Sequence, residues 1–440
     1  MADFVLEESA FDICAAFPER ELVSDAARAT ELITPLKARE GVKVTHVKLS
    51  NKSYQTAAAE VVAAAVCGLA SVVSVDVSDV IAGRPEAEAL EVLRILSSAF
   101  ESVADGLTHV DISDNALGQK GIDALLPLLR SELLSSLRVC NNGMSADAAL
   151  QLATLVAPGE RTRLETLHYF NNMSGDGGAT ALALIAARSP QLVDFRFSGT
   201  RAGRAGSLAI MHALAPALLK TLVRLDLADN NFGTEGGALL ASGLRCDAPL
   251  ALTKLDLRDC SLGDAGFAPV LAALASRPGA LQHLDFSGND LSANATDAAG
   301  WVALLRAQPQ LAHLGLEENE LAGGGARALA KALLSAAPTA LVSMQLCSNE
   351  IASKGALALG RAICAACPVL VSLTLNGNAL SDEALATLTG LLANAGKADA
   401  LGLMDDNDED LAEDDEDDEQ DDDDALAGLT DAAAALEIAR

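Results

Sequence analysis

Hydrophobic positions along this chain recur in a compound rhythm. "LTHVDISDNALGQKGIDALLPLL" begins at Leu107, "LVRLDLADNNFGTEGGALLASGL" at Leu222 and "LAHLGLEENELAGGGARALAKAL" at Leu311. "LVSMQLCSNEIASKGALALGRAI" follows from Leu341 and "LVSLTLNGNALSDEALATLTGLL" from Leu370. Each reads L-x-x-L-x-L-x-x-N-x-L and then turns to apolar residues at helical spacing. The alternating part predicts a short strand whose leucines share one face. The part behind it, such as Ile122, Leu125, Leu126 and Leu129, predicts one face of a helix. A single unit of this kind buries neither face alone, so about twelve units must stack, strand beside parallel strand.

One polar position keeps the same register. Asn115, Asn142, Asn172, Asn230, Asn289, Asn319, Asn349 and Asn378 stand where the chain leaves each strand. Cys260, Thr200, Lys52 and Val80 take that slot in other units. Buried backbone groups at such a corner need partners, and an amide both donates and accepts. The pattern is that of the leucine-rich repeat. Its length near 29 residues, with a full helix, resembles the ribonuclease-inhibitor-like class. The expected fold is therefore α/β: a horseshoe-shaped solenoid of about twelve βα repeats with a parallel inner sheet. Strands about 4.8 Å apart would give it an inner arc of roughly 50 Å, suited to a protein partner. Residues 1–44 are expected to form an N-terminal cap, 45–396 the repeat array and 397–440 an acidic, mostly disordered tail.

Composition agrees with a stack of small units: 50% of residues are apolar but only 3% aromatic. The net charge of −30 argues against a nucleic-acid partner, because phosphate recognition is dominated by Lys and Arg. Within "DDNDEDLAEDDEDDEQDDDD", 16 of 20 residues are acidic, a run that self-repels and resists folding. The N-terminus carries no basic segment ahead of an apolar core, so no secretory signal is expected. "VVAAAVCGLASVV", Val61 to Val73, is too short to span a membrane and fits the helix-then-strand phase of its unit. Eight scattered cysteines read as buried hydrophobes in a reducing compartment. Cys364 and Cys367 make a lone CxxC, a weak metal or redox signal without a second pair. His46, His109, His283 and His313 share one register before the first strand hydrophobe, which implies a structural role, and no metal site is expected. Neither "GTEGGA" nor "AGGGAR" continues as a phosphate loop. No nucleophile–base pair stands clear of the repeats, so a self-contained enzyme is the weakest class.

Two places break the regularity. Val80 to Asn115 spans 35 residues, against 27 to 30 for the nine corner-to-corner intervals that follow. The added stretch includes "AGRPEAE", a rim turn carrying Arg84 as an exposed cation, and rim loops on rigid scaffolds are where function is usually placed. Spacing alone leaves open whether Arg84 is merely solvated. In "LRVCNNGMSADAA", Asn142 is the structural corner while Asn141 stands one place earlier, in the slot of Asp114, Asp229 or Glu318. Arg84 and Asn141 lie two repeats apart, roughly 10 Å along the inner arc, so one partner could touch both.

"VSDVIAGRPEAEALEVL", "LTHVDISDNALGQKGI", "VCNNGM", "YFNNMSGDGGA" and "DFRFSGTRAG" closely resemble the Ran GTPase-activating proteins, in the form of plant and green-algal members. The resemblance runs from "AFDICAAF" through the last repeat and the acidic run. It implies an activator acting in trans, which stimulates GTP hydrolysis by Ran and keeps Ran in its GDP form in the cytoplasm for nucleocytoplasmic transport. Such an activator has no cofactor of its own, since GTP and magnesium belong to the GTPase. Arg84 matches the family's essential arginine, and Asn141 the asparagine close to Ran's nucleotide. Ran uses its own glutamine and a tyrosine, ordered by the activator. Asn141 is therefore assigned to orienting that glutamine and Arg84 to docking and indirect positioning, with an arginine-finger role left open. Asp79, Asp114, Arg138 and Asn171 are expected partner contacts. Ran-GTP is the expected partner, a Ran-binding-domain protein a further candidate, and the chain itself is expected to be a monomer. The runner-up is a passive repeat scaffold, resembling ribonuclease inhibitor, that captures a basic partner on its acidic face.

The sequence departs from land-plant members, which carry an N-terminal WPP domain: about 44 residues precede the first repeat, and the sole tryptophan is Trp301. The further domain that animal members use for pore attachment is not expected after the array. A diffuse cytoplasmic protein is expected, with perinuclear placement as the alternative.

Overall fold

The computed structural model describes residues 9–38, 41–245, 250–295 and 297–408. The chain divides into two compact units, residues 1–213 and 214–440. Both are runs of leucine-rich repeats, each strand paired in parallel with the strand of the next repeat.

In the first unit the strands are β1 (Ala10–Asp12), β2 (Glu21–Val23), β3 (His46–Lys48), β4 (Lys52–Tyr54), β5 (Ser74–Asp76), β6 (His109–Asp111), β7 (Ser136–Arg138), β8 (Thr166–Phe170) and β9 (Asp194–Ser198). The sheet order is β1-β3-β5-β6-β7-β8-β9, with β2 and β4 forming a separate pair. Register aligns one apolar residue per strand: Val75, Val110, Leu137, Leu167 and Phe195 are consecutive partners, each buried beneath the sheet. The second unit repeats the arrangement with β10 (Arg224–Asp226), β11 (Lys254–Asp256), β12 (His283–Asp285), β13 (His313–Gly315), β14 (Ser343–Gln345) and β15 (Ser372–Thr374). Helices behind the strands pack through small residues. In the helix Gly233–Leu244, a Cβ at Gly237 would strike the backbone of Gly266 in the helix Gly263–Ala275, so two helix backbones touch there.

The corner asparagines are buried, and in the first unit Asn115, Asn142 and Asn172 form an amide ladder. Asn115 Oδ1 accepts from Val80 N at 3.0 Å, Asn142 Oδ1 from Asn115 N at 2.8 Å, and Asn172 Oδ1 from Asn142 N at 3.1 Å. Their Nδ2 groups donate to Val77, Ile112 and Val139 carbonyls, at 2.8 to 3.1 Å. Just before each corner the chain enters left-handed backbone: Asn51, Asp79, Asp114, Asn141 and Asn171 have φ between 50° and 62°. Asn and Asp tolerate this region best among residues with a side chain. A one-residue slot on the array is thereby restricted by backbone geometry to residues that accept left-handed φ, mostly Asn and Asp with Gly199, Gly288 and Gly377 in other repeats, before any partner is considered.

Several sequence expectations shift. Ile122, Leu125 and Leu129 are buried as expected, but Leu126 is 43% exposed and Leu128 is buried instead. Pro127 lacks an N–H, so the helix stops after Ala124 and restarts as Leu126–Leu129, turning the apolar face out of phase. The lengthened repeat is also divided. Its helix, Glu86–Ser98, starts six residues after Val80 where Gly118 starts three after Asn115, and the rest of the added chain forms a 3₁₀ turn over Glu101–Gly106. Within the stretch expected as an N-terminal cap, β1 pairs with β3. At the other end Leu373 bridges Leu401, and Asn407 Oδ1 accepts from Asn378 N at 3.1 Å. The same amide pairing thus continues past residue 396, and the remainder of the expected tail, 409–440, lies outside the described residues.

Candidate functional site

Arg84, Asp114 and Asn141 line one open groove of about 800 Å³ in the first unit, beside the lengthened turn and the turn after β6. The turn at Arg84 is closed by Arg84 N donating to Ile81 O at 3.1 Å. Gly83 has φ 73° with open space around its Cβ position, so backbone conformation, not crowding, calls for glycine there.

Arg84 is not the exposed cation expected from the sequence, since its side chain is only 5% exposed. Nε donates to Ser53 Oγ at 3.1 Å, and Nη2 reaches Ser53 O at 3.5 Å. With the Gln55 amide turned so that its nitrogen donates to Ser24 O (2.8 Å), its oxygen accepts from Arg84 Nη1 at 3.1 Å. Glu88, one turn along the following helix, stands 3.8 Å from Nη1. A guanidinium offers five donors in a rigid fork, and here most of the fork faces the protein's own chain. Ser53 and Gln55 had no signal in the sequence pattern, because β4 is a three-residue strand outside the main sheet.

Asn141 is exposed and held on both sides. Its Nδ2 donates to Asp114 Oδ1 at 2.8 Å, and its Oδ1 accepts from Asn171 Nδ2 at 2.8 Å. An ionised carboxylate only accepts, so Asp114 dictates which way the Asn141 amide points, and Asn141 in turn orients Asn171. One N–H of Asn141 and a lone pair on its oxygen remain for a partner. Asp79 is tied to Arg20 Nη2 at 2.7 Å, which places residue 20 at the edge of the same turn. Arg138 belongs elsewhere. It projects from β7 on the open face of the sheet, 3.9 Å from Asp111, and lines a second groove with Asp12, Lys48 and Asp76.

In that second groove burial and the neighbouring Asp111 push the Asp76 carboxyl up to about 6, against the opposing pull of its Ser78 hydrogen bonds and Lys48. Between about pH 4 and pH 6 the folded state holds a proton that an unfolded aspartate has released. Stability therefore falls as pH rises through that window. Asp76→Asn keeps an acceptor for Ser78 and is expected to flatten this slope, with a gain at pH 7 on the order of 2 kcal/mol. Urea midpoints at pH 4 and pH 7 measure it, and a slope equal to wild type would mean that burial and Asp111 do not hold a proton on Asp76 in this window.

Among the described residues no group of three or more His, Cys, Asp or Glu is arranged to hold a metal ion. His46, His109, His283 and His313 each open a strand, as their common register predicted. Burial raises the Cys364 thiol and pushes Cys367 up to about 12, the reverse of what redox chemistry at neutral pH requires. No helix among the described residues is long and apolar enough to cross a membrane.

The fold and the repeats define a leucine-rich-repeat protein, and a model described as "Leucine Rich repeat" matches residues 107–126, 219–241 and 251–269. Beyond that class, the chain is homologous over part of its length to two Arabidopsis thaliana proteins. It is 40% identical over 126 residues to RAN GTPase-activating protein 1, covering 28% of this chain and 22% of the relative. It is 41% identical over 131 residues to RAN GTPase-activating protein 2, covering 30% of this chain and 23% of the relative. The matched stretch thus spans less than a quarter of either relative. Among solved structures, an internalin from Listeria monocytogenes superposes with TM-score 0.44 at 14% identity, covering 83% of each chain.

Proposed function

We propose that this chain activates GTP hydrolysis by Ran, acting in trans on a site that belongs to the GTPase. The observation that carries the reading is the convergence of Arg84, Asp114 and Asn141 on one groove beside the lengthened repeat, joined to the partial homology with RAN GTPase-activating proteins. A small GTPase hydrolyses slowly while its water-positioning glutamine is poorly held. Asn141, its amide fixed between Asp114 and Asn171, offers a rigid donor and acceptor to such a glutamine. Arg84, with its guanidinium bound to Ser53, serves by holding the turn that docks against the GTPase. A finger role would require it to break those contacts first. GTP and magnesium come with Ran, and the cytoplasm is the compartment this activity implies.

The test is single-turnover hydrolysis of GTP by Ran with and without the full chain. Binding without acceleration would favour the passive scaffold, and no effect of any kind would end the Ran reading.

The acidic run has its own expected effect. Its charge should speed encounter with a basic patch on Ran at low salt. A cut after Asp408 spares the ladder contacts of Asn407 with Asn378, and is expected to slow association about tenfold at low ionic strength and little near physiological salt. Stopped-flow association at the two salt concentrations checks this, and equal rates at low salt would leave the run without a steering role.

A further inference from the structure

The turn that carries Arg84 is buttressed by the N-terminal strand pair, and one hydroxyl sits at the junction. Ser53, on β4, is 7% exposed. Its Oγ donates to Ala82 O at 2.6 Å and accepts from Arg84 Nε at 3.1 Å. A hydroxyl is suited to this because it gives one hydrogen and still accepts. It ties the backbone of the turn and the arginine side chain to the same point. β4 is itself anchored: Tyr54 N donates to Val80 O at 3.0 Å, and Ser53 lies in register with Leu22 of β2. Two residues before Leu22, Arg20 reaches over to Asp79. Gln55, at the end of β4, fixes the far side of the guanidinium through the bridge to Ser24.

We propose that Ser53 is a positioning residue, with Gln55 as its second support: β4 sets the place and orientation of Arg84 at the edge of the groove before any partner arrives. Ser53 touches no partner in this scheme and acts only through Arg84. The alternative roles for a buried serine differ in a measurable way. A residue that merely stabilises the fold would lower activity whether or not Arg84 were present. A residue that works through Arg84 has nothing left to contribute once Arg84 is gone, so the two substitutions should be non-additive. The kinetic half of the proposal rests on the Ran-activator reading, while the structural half does not.

The experiment compares the full chain with Ser53→Ala, Ser53→Thr, Arg84→Ala and the double variant Ser53→Ala/Arg84→Ala. One readout is the maximal single-turnover rate on GTP-loaded Ran. The other is proton exchange at the Arg84 Nε–H by NMR in the free protein. Ser53→Ala is expected to slow hydrolysis about tenfold, the loss of one hydrogen bond to a charged group. Ser53→Thr keeps the hydroxyl and should stay within about twofold of wild type. The double variant should be no slower than Arg84→Ala. Exchange at Nε–H should be slow in wild type and Ser53→Thr and fast in Ser53→Ala. If Ser53→Ala keeps slow exchange, or if its loss multiplies in full with that of Arg84→Ala, the positioning role is wrong. If wild type fails to accelerate hydrolysis, the Ran reading falls, and the exchange measurement still decides whether Ser53 holds Arg84.

Discussion

Asn141→Ala is expected to slow single-turnover hydrolysis by Ran about 10²-fold while leaving association within about threefold of wild type. The size follows from what the residue is asked to do. Asn141 carries no charge toward a developing negative centre, so the 10³- to 10⁵-fold contribution of an arginine finger is not on offer. Its contribution is orientation of another group, and a misplacement of about 1 Å at a reacting centre costs on the order of 10². Asp114→Asn should show a smaller loss of the same kind. Asp114 holds the Asn141 amide in one orientation through the 2.8 Å contact to Nδ2, and an amide in its place could donate as well as accept, allowing the row to flip. Arg84→Ala is expected to affect both association and rate, because its side chain ties the docking turn to β4. Wild-type hydrolysis in the Asn141 variant would exclude it from the partner's active site.

Asn289→Leu is expected to cost about 4 kcal/mol of stability, with no change in the groove around Arg84. Asn289 is fully buried. Its Oδ1 accepts from both Cys260 N and Leu262 N at 3.2 Å, and its Nδ2 donates to Leu257 O at 2.8 Å and Phe286 O at 2.9 Å. Leucine fills similar volume but offers nothing to these groups, and each buried polar group left unpaired costs about 1 to 3 kcal/mol. Because neighbouring repeats stabilise each other, the loss should appear as a less cooperative urea transition as well as a lower midpoint. Asn294, five residues on, is exposed, and Asn294→Ala should stay within about 0.5 kcal/mol. A loss below about 1 kcal/mol for Asn289→Leu would mean that water replaces the amide.

Repeat architecture was legible because it is written locally. The L-x-L strand, the helix behind it and the corner asparagine lie within a few residues of each other, and the structure buries the asparagine at each of the eight corners that carry one. The misplaced Leu126 shows the limit of periodicity: counting apolar positions ignored that Pro127 removes a donor and restarts the helix. Asn141 was legible for the same reason as the corners, since its slot demands left-handed backbone in unit after unit. Its two hydrogen bonds were not, because Asp114 and Asn171 come from neighbouring repeats 27 and 30 residues away.

The sequence by itself determined the repeat, the parallel pairing and the fact that one turn is longer than the rest, because each depends on the order of apolar and polar residues along a short stretch. Only the tertiary structure decided what Arg84 does with its charge. Spacing leaves an arginine on a long turn undecided between solvent and a partner until the chain brings β4 beneath it, and Ser53, 31 residues earlier, supplies an acceptor. A buried guanidinium must find partners or lose more in desolvation than it gains. Those partners come from a strand pair that carries no periodic signal, so the decisive contact became visible only when the fold placed it.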